Sequence, residues 1–122
     1  MPHPLPAPLV EAIADRFRVL AEPMRIRILD ALREAPATVG ALAEALGTSQ
    51  QNVSKHVGVL VQAGMVAREK VGNSVRCRIA DPSVLALCEQ VCGGLRRQVA
   101  ELQALLEPAA NAPGRARASG TS

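Results

Sequence analysis

Two helical patterns meet at Gly47, and this junction constrains the fold more than any other feature of the chain. The first pattern covers residues 39–46, with Thr38 suited to cap its N-terminus. The second begins within a few residues, with Thr48 or Ser49 as its cap. Glycine commonly closes a helix in a left-handed conformation. The spacing therefore predicts two short helices joined by a tight turn.

Residues on both sides of this pair continue the helical pattern. We expect helices over residues 8–20 and from Pro23 to a point before Pro36, since proline suits the first turn of a helix. A long helix is expected to start at Asp81-Pro82 and run to about Glu107. The predicted apolar stripe of the first helix is Leu9, Ile13, Phe17 and Leu20. That of the last is Val84, Cys88, Val91, Leu95, Val99, Leu102 and Leu106.

The apolar period changes from 3.6 to 2 after Gly64. Residues 65–70 and 75–79 are predicted to be strands, and residues 71–74, with Gly72 and Asn73, a turn between them. In the second strand, Arg76 and Arg78 share one face, and Val75, Cys77 and Ile79 share the other. The predicted fold class is therefore mainly α with a small β-hairpin wing, a winged helix-turn-helix. We expect one domain over residues 8–107, with disordered segments at 1–7 and 108–122.

Composition narrows the function classes. The 122 residues include one Phe and no Tyr or Trp, so the core has to be aliphatic, and a core of this size would gain from burial against a second copy. The three cysteines, with neither a secretory signal nor a membrane-spanning run, point to free thiols in the cytoplasm. No catalytic motif is present, and the cysteines are expected to be largely buried, so we expect no enzyme.

The second helix of a helix-turn-helix enters the major groove of DNA. Opposite its buried stripe, the predicted DNA contacts are Ser49, Gln50, Gln51, Ser54 and Lys55. No acidic residue interrupts positions 47–62. In the hairpin, Arg68, Lys70, Arg76 and Arg78 outweigh Glu69, giving a net charge of +3. We expect double-stranded DNA as the partner, with Arg68, Lys70 and Arg76 contacting it. A solvated helix face and a protein-interaction module are the alternatives.

Three segments resemble the ArsR/SmtB family of metalloregulatory repressors. They are FRVLAEPMRIRIL at residues 17–29, SQQNVSKHV at 49–57 and LVQAGMV at 60–66, in the family's order. The resemblance covers roughly residues 10–95. It implies a homodimer joined through the first and last helices, and repression of a nearby operon that an inducer relieves. Gln50, Gln51, Ser54 and Lys55 match the family's groove-contacting positions.

The resemblance also allows the family's inducer sites to be checked. The paired cysteines before the recognition helix are absent, because residues 39–43 read VGALA. The zinc-type site on the last helix keeps Asp81, but Ser83, Gly94 and Arg97 follow, and Arg97 would repel a cation. We therefore expect neither site.

Cys88 and Cys92 remain as candidate inducer ligands. At positions i and i+4 they lie on one helix face, close enough to share a soft ion. With Cys77 as a third ligand, the site would suit As(III) or Sb(III), and Cd, Hg, Pb or Zn would also fit. A redox or persulfide switch, simple packing of small apolar side chains, and a regulator without a metal site are the alternatives. His56, next to the buried stripe, is interpreted as a structural, hydrogen-bonded histidine.

Overall fold

The computed structural model describes residues 1–107, and the predicted disordered tail lies outside them. Among those residues the elements follow the predicted order of four helices, a hairpin and a long helix. They are α1 (Ala7–Leu20), α2 (Pro23–Leu32), α3 (Val39–Leu46), α4 (Gln50–Gln62), β1 (Val66–Val71), β2 (Ser74–Ile79) and α5 (Ser83–Leu106). Residues 1–85 form one compact unit, and α5 from Ala86 onward belongs to a second. No described helix has both the length and the apolar character needed to cross a membrane.

Side-chain caps define where the helices begin. The Thr38 hydroxyl accepts a hydrogen bond from the Ala41 amide, and the Ser49 hydroxyl accepts one from the Asn52 amide. Each bond satisfies an amide that has no partner inside its helix. Gly47 ends α3 in the left-handed region at φ 66°, as predicted. The bounds of α3 are confirmed, while those of α1 and α5 differ from the prediction by one or two residues at the start.

The hairpin is an antiparallel pair whose register runs from Val66 opposite Ile79 to Val71 opposite Ser74. Both strands reach one residue further toward the turn than predicted, which leaves Gly72 and Asn73 as a two-residue loop. Gly72 has φ 61°, a conformation that costs glycine little. The hairpin is also fixed to the α2–α3 loop, because Ala37 and Cys77 exchange two backbone hydrogen bonds of 3.0 and 2.7 Å.

The core lies between α2, α3, α4 and the base of the hairpin. Its fully buried side chains are aliphatic or sulfur-containing, as the composition predicts: Ile28, Leu29, Leu42, Leu60, Met65, Val53, Val57, Val66 and Cys77. The apolar stripe predicted for α1 is only partly covered: Leu20 is buried, Leu9 and Ile13 are half-buried, and Phe17 is 51% exposed. Apolar side chains on α5 are exposed in the same way. A single chain therefore buries its centre and leaves apolar faces on its first and last helices.

His56 is the buried polar side chain of α4, with 6% of its surface exposed. Its Nδ1 accepts a hydrogen bond from Arg25 Nε at 3.2 Å, and Arg25 Nη1 donates to the Val19 carbonyl at 3.0 Å. Arg25 of α2 thus connects α4 to the end of α1. Because a guanidinium only donates, His56 Nδ1 has to be unprotonated. The prediction of a structural, hydrogen-bonded histidine is confirmed.

Burial is the main cause that lowers the pKa of His56 below 6.5. The positive charges of Lys55 and Arg25 lower it further, while Glu22 acts in the opposite direction. Neutral His56 is therefore the form that the fold accommodates.

Truncation of a fully buried side chain on α4 tests this core. We expect Leu60→Ala to lower the free energy of unfolding by about 2–5 kcal/mol, because it leaves a cavity between packed helices. Leu105→Ala removes the same atoms from a side chain that is 82% exposed and should change it by less than about 0.5 kcal/mol. Urea unfolding at one fixed protein concentration measures both. Equal losses in the two variants would contradict the assigned core.

The neutral state of His56 predicts how stability depends on pH. As the pH falls below about 7, the unfolded chain takes up a proton at this histidine that the folded chain resists, so stability should fall. His56→Gln keeps an acceptor for Arg25 but cannot titrate, and should flatten the slope between pH 7 and 5 by up to about 1.4 kcal/mol per pH unit. His3→Gln removes the other histidine, which is exposed, and serves as the control. An unchanged slope in His56→Gln would refute this assignment.

Candidate nucleic-acid interface

The turn between α3 and α4 is held by hydrogen bonds at each of its residues. The Thr48 amide donates to the Ala43 carbonyl at 3.1 Å, and Asn52 Nδ2 donates to Thr48 Oγ1 at 3.1 Å. Arg27 Nη2 of α2 donates to the Leu46 carbonyl at 3.2 Å, satisfying a helix-end acceptor. These bonds set the angle at which α4 leaves the turn.

The face of α4 opposite its buried stripe is polar and exposed. All five predicted contact residues of the turn and helix are exposed: Ser49, Gln50, Gln51, Ser54 and Lys55. They lie at the N-terminal end of the helix, where unpaired amides give a partial positive charge. With no acidic side chain from Gly47 to Gln62, this face is suited to a polyanion.

One of these side chains is bonded within the protein, and a second lies close to α3. Ser49 Oγ accepts the Asn52 amide at 3.1 Å, so the hydroxyl serves as the helix cap. The Gln50 amide group lies against α3, where its Nε2 is 3.5 Å from the position that a Cβ on Gly40 would occupy. Among the described residues, no side-chain bond within the protein is seen for Gln51, Ser54 or Lys55. These three side chains are therefore more available to a ligand than Ser49 and Gln50.

The hairpin carries cations on both faces. Arg68 and Lys70 share a face with Cys77 and Val75, their partners across the pair. Arg76 and Arg78 share the opposite face with Glu69, as the alternation predicts for the two arginines. Arg78 Nε is paired with Glu69 Oε2 at 3.2 Å, which leaves Arg76, directly across from Glu69, as the other cation of that face.

Arg68 extends from the hairpin toward α4. Its Nη2 is 4.0 Å from the position of a Cβ on Gly58, so the missing side chain of that glycine gives the guanidinium room beside the helix. The wing and α4 are thus neighbouring cationic and polar surfaces of one unit. Nothing in the sequence spacing predicted this approach, since it depends on how the hairpin folds back over the helix.

The three cysteines occupy different environments. Cys77 is 1% exposed on the inward face of β2, as predicted. Burial raises the pKa of its thiol, and the nearby charge of Arg68 only partly opposes the effect. Cys88 is half-buried and Cys92 is exposed, so the expectation that all three are largely buried is wrong for Cys92. The reason is that Cys92 lies on a part of α5 that a single chain leaves uncovered.

All three cysteines are free thiols. Within residues 1–107, no three side chains of His, Cys, Asp or Glu come together as a metal site. The set of Cys77, Cys88 and Cys92 as ligands of one ion therefore stays a prediction.

Similarity to known proteins agrees with this geometry. Residues 20–69 match the family described as a helix-turn-helix domain. The HTH-type transcriptional regulator Rv0081 of Mycobacterium tuberculosis is 38% identical over 101 residues, which cover 82% of this chain and 89% of that protein. Its crystal structure superposes with a TM-score of 0.71 at 36% identity, covering 79% of this chain and 97% of the other.

Two further solved structures are similar. One is the homodimeric winged helix-turn-helix DNA-binding domain of Mb0332 from Mycobacterium bovis, described as a possible ArsR-family regulator. It has a TM-score of 0.69 and 28% identity, and the match covers 76% of this chain and 86% of that domain. The other is AntR, an antimony-specific transcriptional repressor, with a TM-score of 0.70 and 28% identity over 80% of this chain and 88% of that one.

The fold and the sequence agree with these relatives over most of the chain. The protein belongs to the ArsR/SmtB family of winged helix-turn-helix transcriptional repressors and is not an enzyme.

Proposed function

We propose that this repressor binds operator DNA in the cytoplasm as a homodimer, with α4 of each subunit in the major groove and the hairpins on the flanking backbone. The main support for this proposal is that α4 has an exposed polar face without acidic residues, and that the hairpin after it has a net charge of +3. A protein-interaction module would need neither feature. Phosphate neutralisation by the cations would supply affinity, and the polar side chains of α4 would supply selectivity.

The roles of the α4 side chains follow from their chemistry. Gln51 has a free amide that pairs bidentately with adenine, and Ser54 is a short donor and acceptor for a base edge or phosphate. Lys55 is assigned to a phosphate. Gln50 is assigned to the groove with its amide held near Gly40, and Ser49 acts chiefly by capping the helix. On the hairpin, Arg68, Lys70 and Arg76 are assigned to the backbone.

The uncovered apolar faces support a dimer through α1 and α5. Val10 and Phe17 on α1 are about half exposed. On α5 the exposed members of the predicted stripe, each more than half exposed, are Val91, Leu95, Val99, Leu102 and Leu106. Apolar side chains at spacings of three and four form one stripe of a helix, and such a stripe is stabilised by packing against another helix. The similar Mb0332 domain is homodimeric.

The inducer is proposed to be a soft, thiol-binding metal or metalloid ion held by Cys88 and Cys92. The two thiols are one helical turn apart on α5, and both are at least partly accessible. Trivalent antimony or arsenic is the first choice, because thiolates are their preferred ligands and the similar AntR repressor is antimony-specific. Buried Cys77, whose pKa is raised, is the weaker ligand and is left outside the minimal site.

Release from DNA would be a population shift. An ion that binds the DNA-free arrangement more tightly than the DNA-bound one lowers DNA affinity by the ratio of its two affinities, typically 5- to 150-fold. Binding to Cys88 and Cys92 would alter α5, and with it the packing of the two subunits. The recognition helices of a dimer have to stay about one DNA turn apart, roughly 34–36 Å, so a small change in packing is enough.

Salt dependence tests the DNA contacts. Duplexes selected from a random library by the wild-type protein should bind more weakly as salt rises from 50 to 200 mM, with a linear double-logarithmic slope. Lys55→Gln should reduce that slope by about 1 for each subunit that contacts a phosphate, and weaken selected and random duplexes alike. Gln51→Ala should weaken the selected duplexes by about 1–3 kcal/mol per lost pair and the random ones much less. Fluorescence anisotropy measures all of these.

Arg18→Gln is the matched control for Lys55→Gln. It removes one positive charge from α1, where Arg18 is paired with Asp15 of the same helix. Its slope should equal that of the wild type. A salt-independent wild type, or equal slopes for Lys55→Gln and Arg18→Gln, would refute the proposed interface.

Thiol replacement tests the inducer site. Antimonite should lower the affinity of the wild type for its selected duplex at least fivefold. The Cys88→Ser/Cys92→Ser protein should bind the duplex equally well with or without antimonite, and Cys77→Ser should respond like the wild type. Loss of the response in Cys77→Ser would make Cys77 a third ligand. A response to a persulfide donor but not to antimonite or cadmium would identify a redox signal instead, and no response to any of the three would exclude a thiol switch.

A further inference from the structure

Arg16 of α1 joins two helix ends that lie far apart in the sequence. Its Nη1 donates to the carbonyl of Ala63, the C-cap of α4, at 3.3 Å. Its Nη2 donates to Asp81 Oδ2 at 2.9 Å, just before the start of α5. One planar guanidinium therefore contacts the end of the proposed DNA-contacting helix and the start of the last helix.

The end of α4 has backbone acceptors that need such a partner. The Gly64 amide bonds to the Val61 carbonyl and the Met65 amide to the Leu60 carbonyl, which completes the last turn. The Ala63 carbonyl points out of that turn, and a cation at the C-terminus of a helix is favourable for the helix dipole. Arg16 supplies both the hydrogen bond and the positive charge.

Asp81 divides its two carboxylate oxygens between two tasks. Oδ1 accepts the Ser83 amide at 3.0 Å and the Ser83 hydroxyl at 2.6 Å, which caps the first turn of α5. Oδ2 is left for Arg16. These contacts lower the pKa of Asp81, with the bonds from Ser83 as the main causes and Arg16 as a lesser one, so the carboxylate is ionised at neutral pH.

The neighbouring backbone keeps the two ends together. The Ala80 amide donates to the Met65 carbonyl at 2.9 Å, so the chain entering β1 and the chain leaving β2 are adjacent. Ala63 precedes Met65 by two residues and Asp81 follows Ala80 by one, so both lie next to this bonded pair. Arg16 of α1 adds a side-chain connection between Ala63 and Asp81. It lies next to an open groove lined by Val19, Val59 and Gln62.

We propose that Arg16 is a positioning residue for DNA recognition: through Ala63 and Asp81 it fixes the end of α4 to the start of α5, so that the placement of α4 on DNA depends on the start of α5. This inference rests on the proposed DNA-contacting role of α4. Arg16 touches no DNA in this scheme. It acts on how well the side chains of α4 match a specific sequence, and leaves unspecific attraction to phosphates unchanged.

The experiment compares Arg16→Gln, Asp81→Asn and the double variant in the full chain. Asparagine keeps the capping acceptor for Ser83 and loses the charge that pairs with Arg16. Arg18→Gln, the same substitution two residues along α1, is the control. Affinities for the selected duplex and for a random duplex are measured at a temperature where all variants are folded and equally dimeric.

Each single variant should bind the selected duplex about two- to fivefold more weakly, the size of effect expected when a partly exposed ion pair is lost. Affinity for the random duplex and the salt slope should stay at the wild-type value. The double variant should be no weaker than either single variant, because both changes break the same link. A merely stabilising ion pair would leave the ratio of the two affinities unchanged, and that result, or losses that multiply in the double variant, would overturn the proposal.

Amide hydrogen exchange separates this inference from the function on which it rests. In Arg16→Gln, exchange should accelerate together at Gly64 and Met65 after α4 and at Val84 and Leu85 in α5, without DNA present. If the wild type prefers no duplex, the proposed function fails and exchange alone decides whether Arg16 links the two helix ends. Acceleration at only one of the two ends would then reject the link.

Discussion

The arrangement of the other elements depends on the burial of one apolar stripe of α4. Val53, Val57 and Leu60 are fully inaccessible to solvent, and the helix can bury them only by turning its opposite side outward. That opposite side carries Gln51, Ser54 and Lys55. Hydrophobic packing therefore selects the surface that we propose meets DNA, although Val53, Val57 and Leu60 themselves are buried away from it.

Hydrophobic burial alone would not fix the direction of α4, and arginines supply the missing constraint. Arg27 reaches the end of α3 before the turn, Arg25 holds His56 in the middle of α4, and Arg16 reaches the carbonyl that ends it. Each guanidinium donates to an acceptor whose position is set by backbone or by a buried ring. Directional bonds of this kind distinguish one orientation of a helix from its neighbours, which undirected apolar contact does not.

What the single chain leaves uncovered is as informative as what it buries. The apolar side chains of α1 and α5 remain exposed in a protein with one aromatic residue and a small aliphatic core. Packing them against a second copy of the chain would enlarge the buried apolar core. Because Cys88 and Cys92 lie on α5, a ligand at these thiols would act on the proposed dimer contact, and through it on the spacing of the helices proposed to contact DNA.

The sequence alone determined the order and type of the elements, because their signals are local. Thr38, Ser49 and Gly47 mark helix ends through bonds or backbone angles within a few residues, and the change of apolar period marks the hairpin. It also indicated the exposed residues of α4, since a helix with a known buried stripe has a known opposite face. The resemblance to the family was also visible in the sequence, because it is carried by three short continuous segments.

Only the tertiary structure decided which side chains have partners and which thiols are accessible. The bonds of Arg25 with His56 and of Arg16 with Asp81, and the approach of Arg68 to α4 beside Gly58, join residues that no local period relates. Cys77 is buried on the apolar face of its strand, whereas Cys92, next to the apolar stripe of α5, is exposed. The physical reason is the same in each case: burial and hydrogen bonding depend on which other segment arrives, and helix or strand period describes only the segment itself.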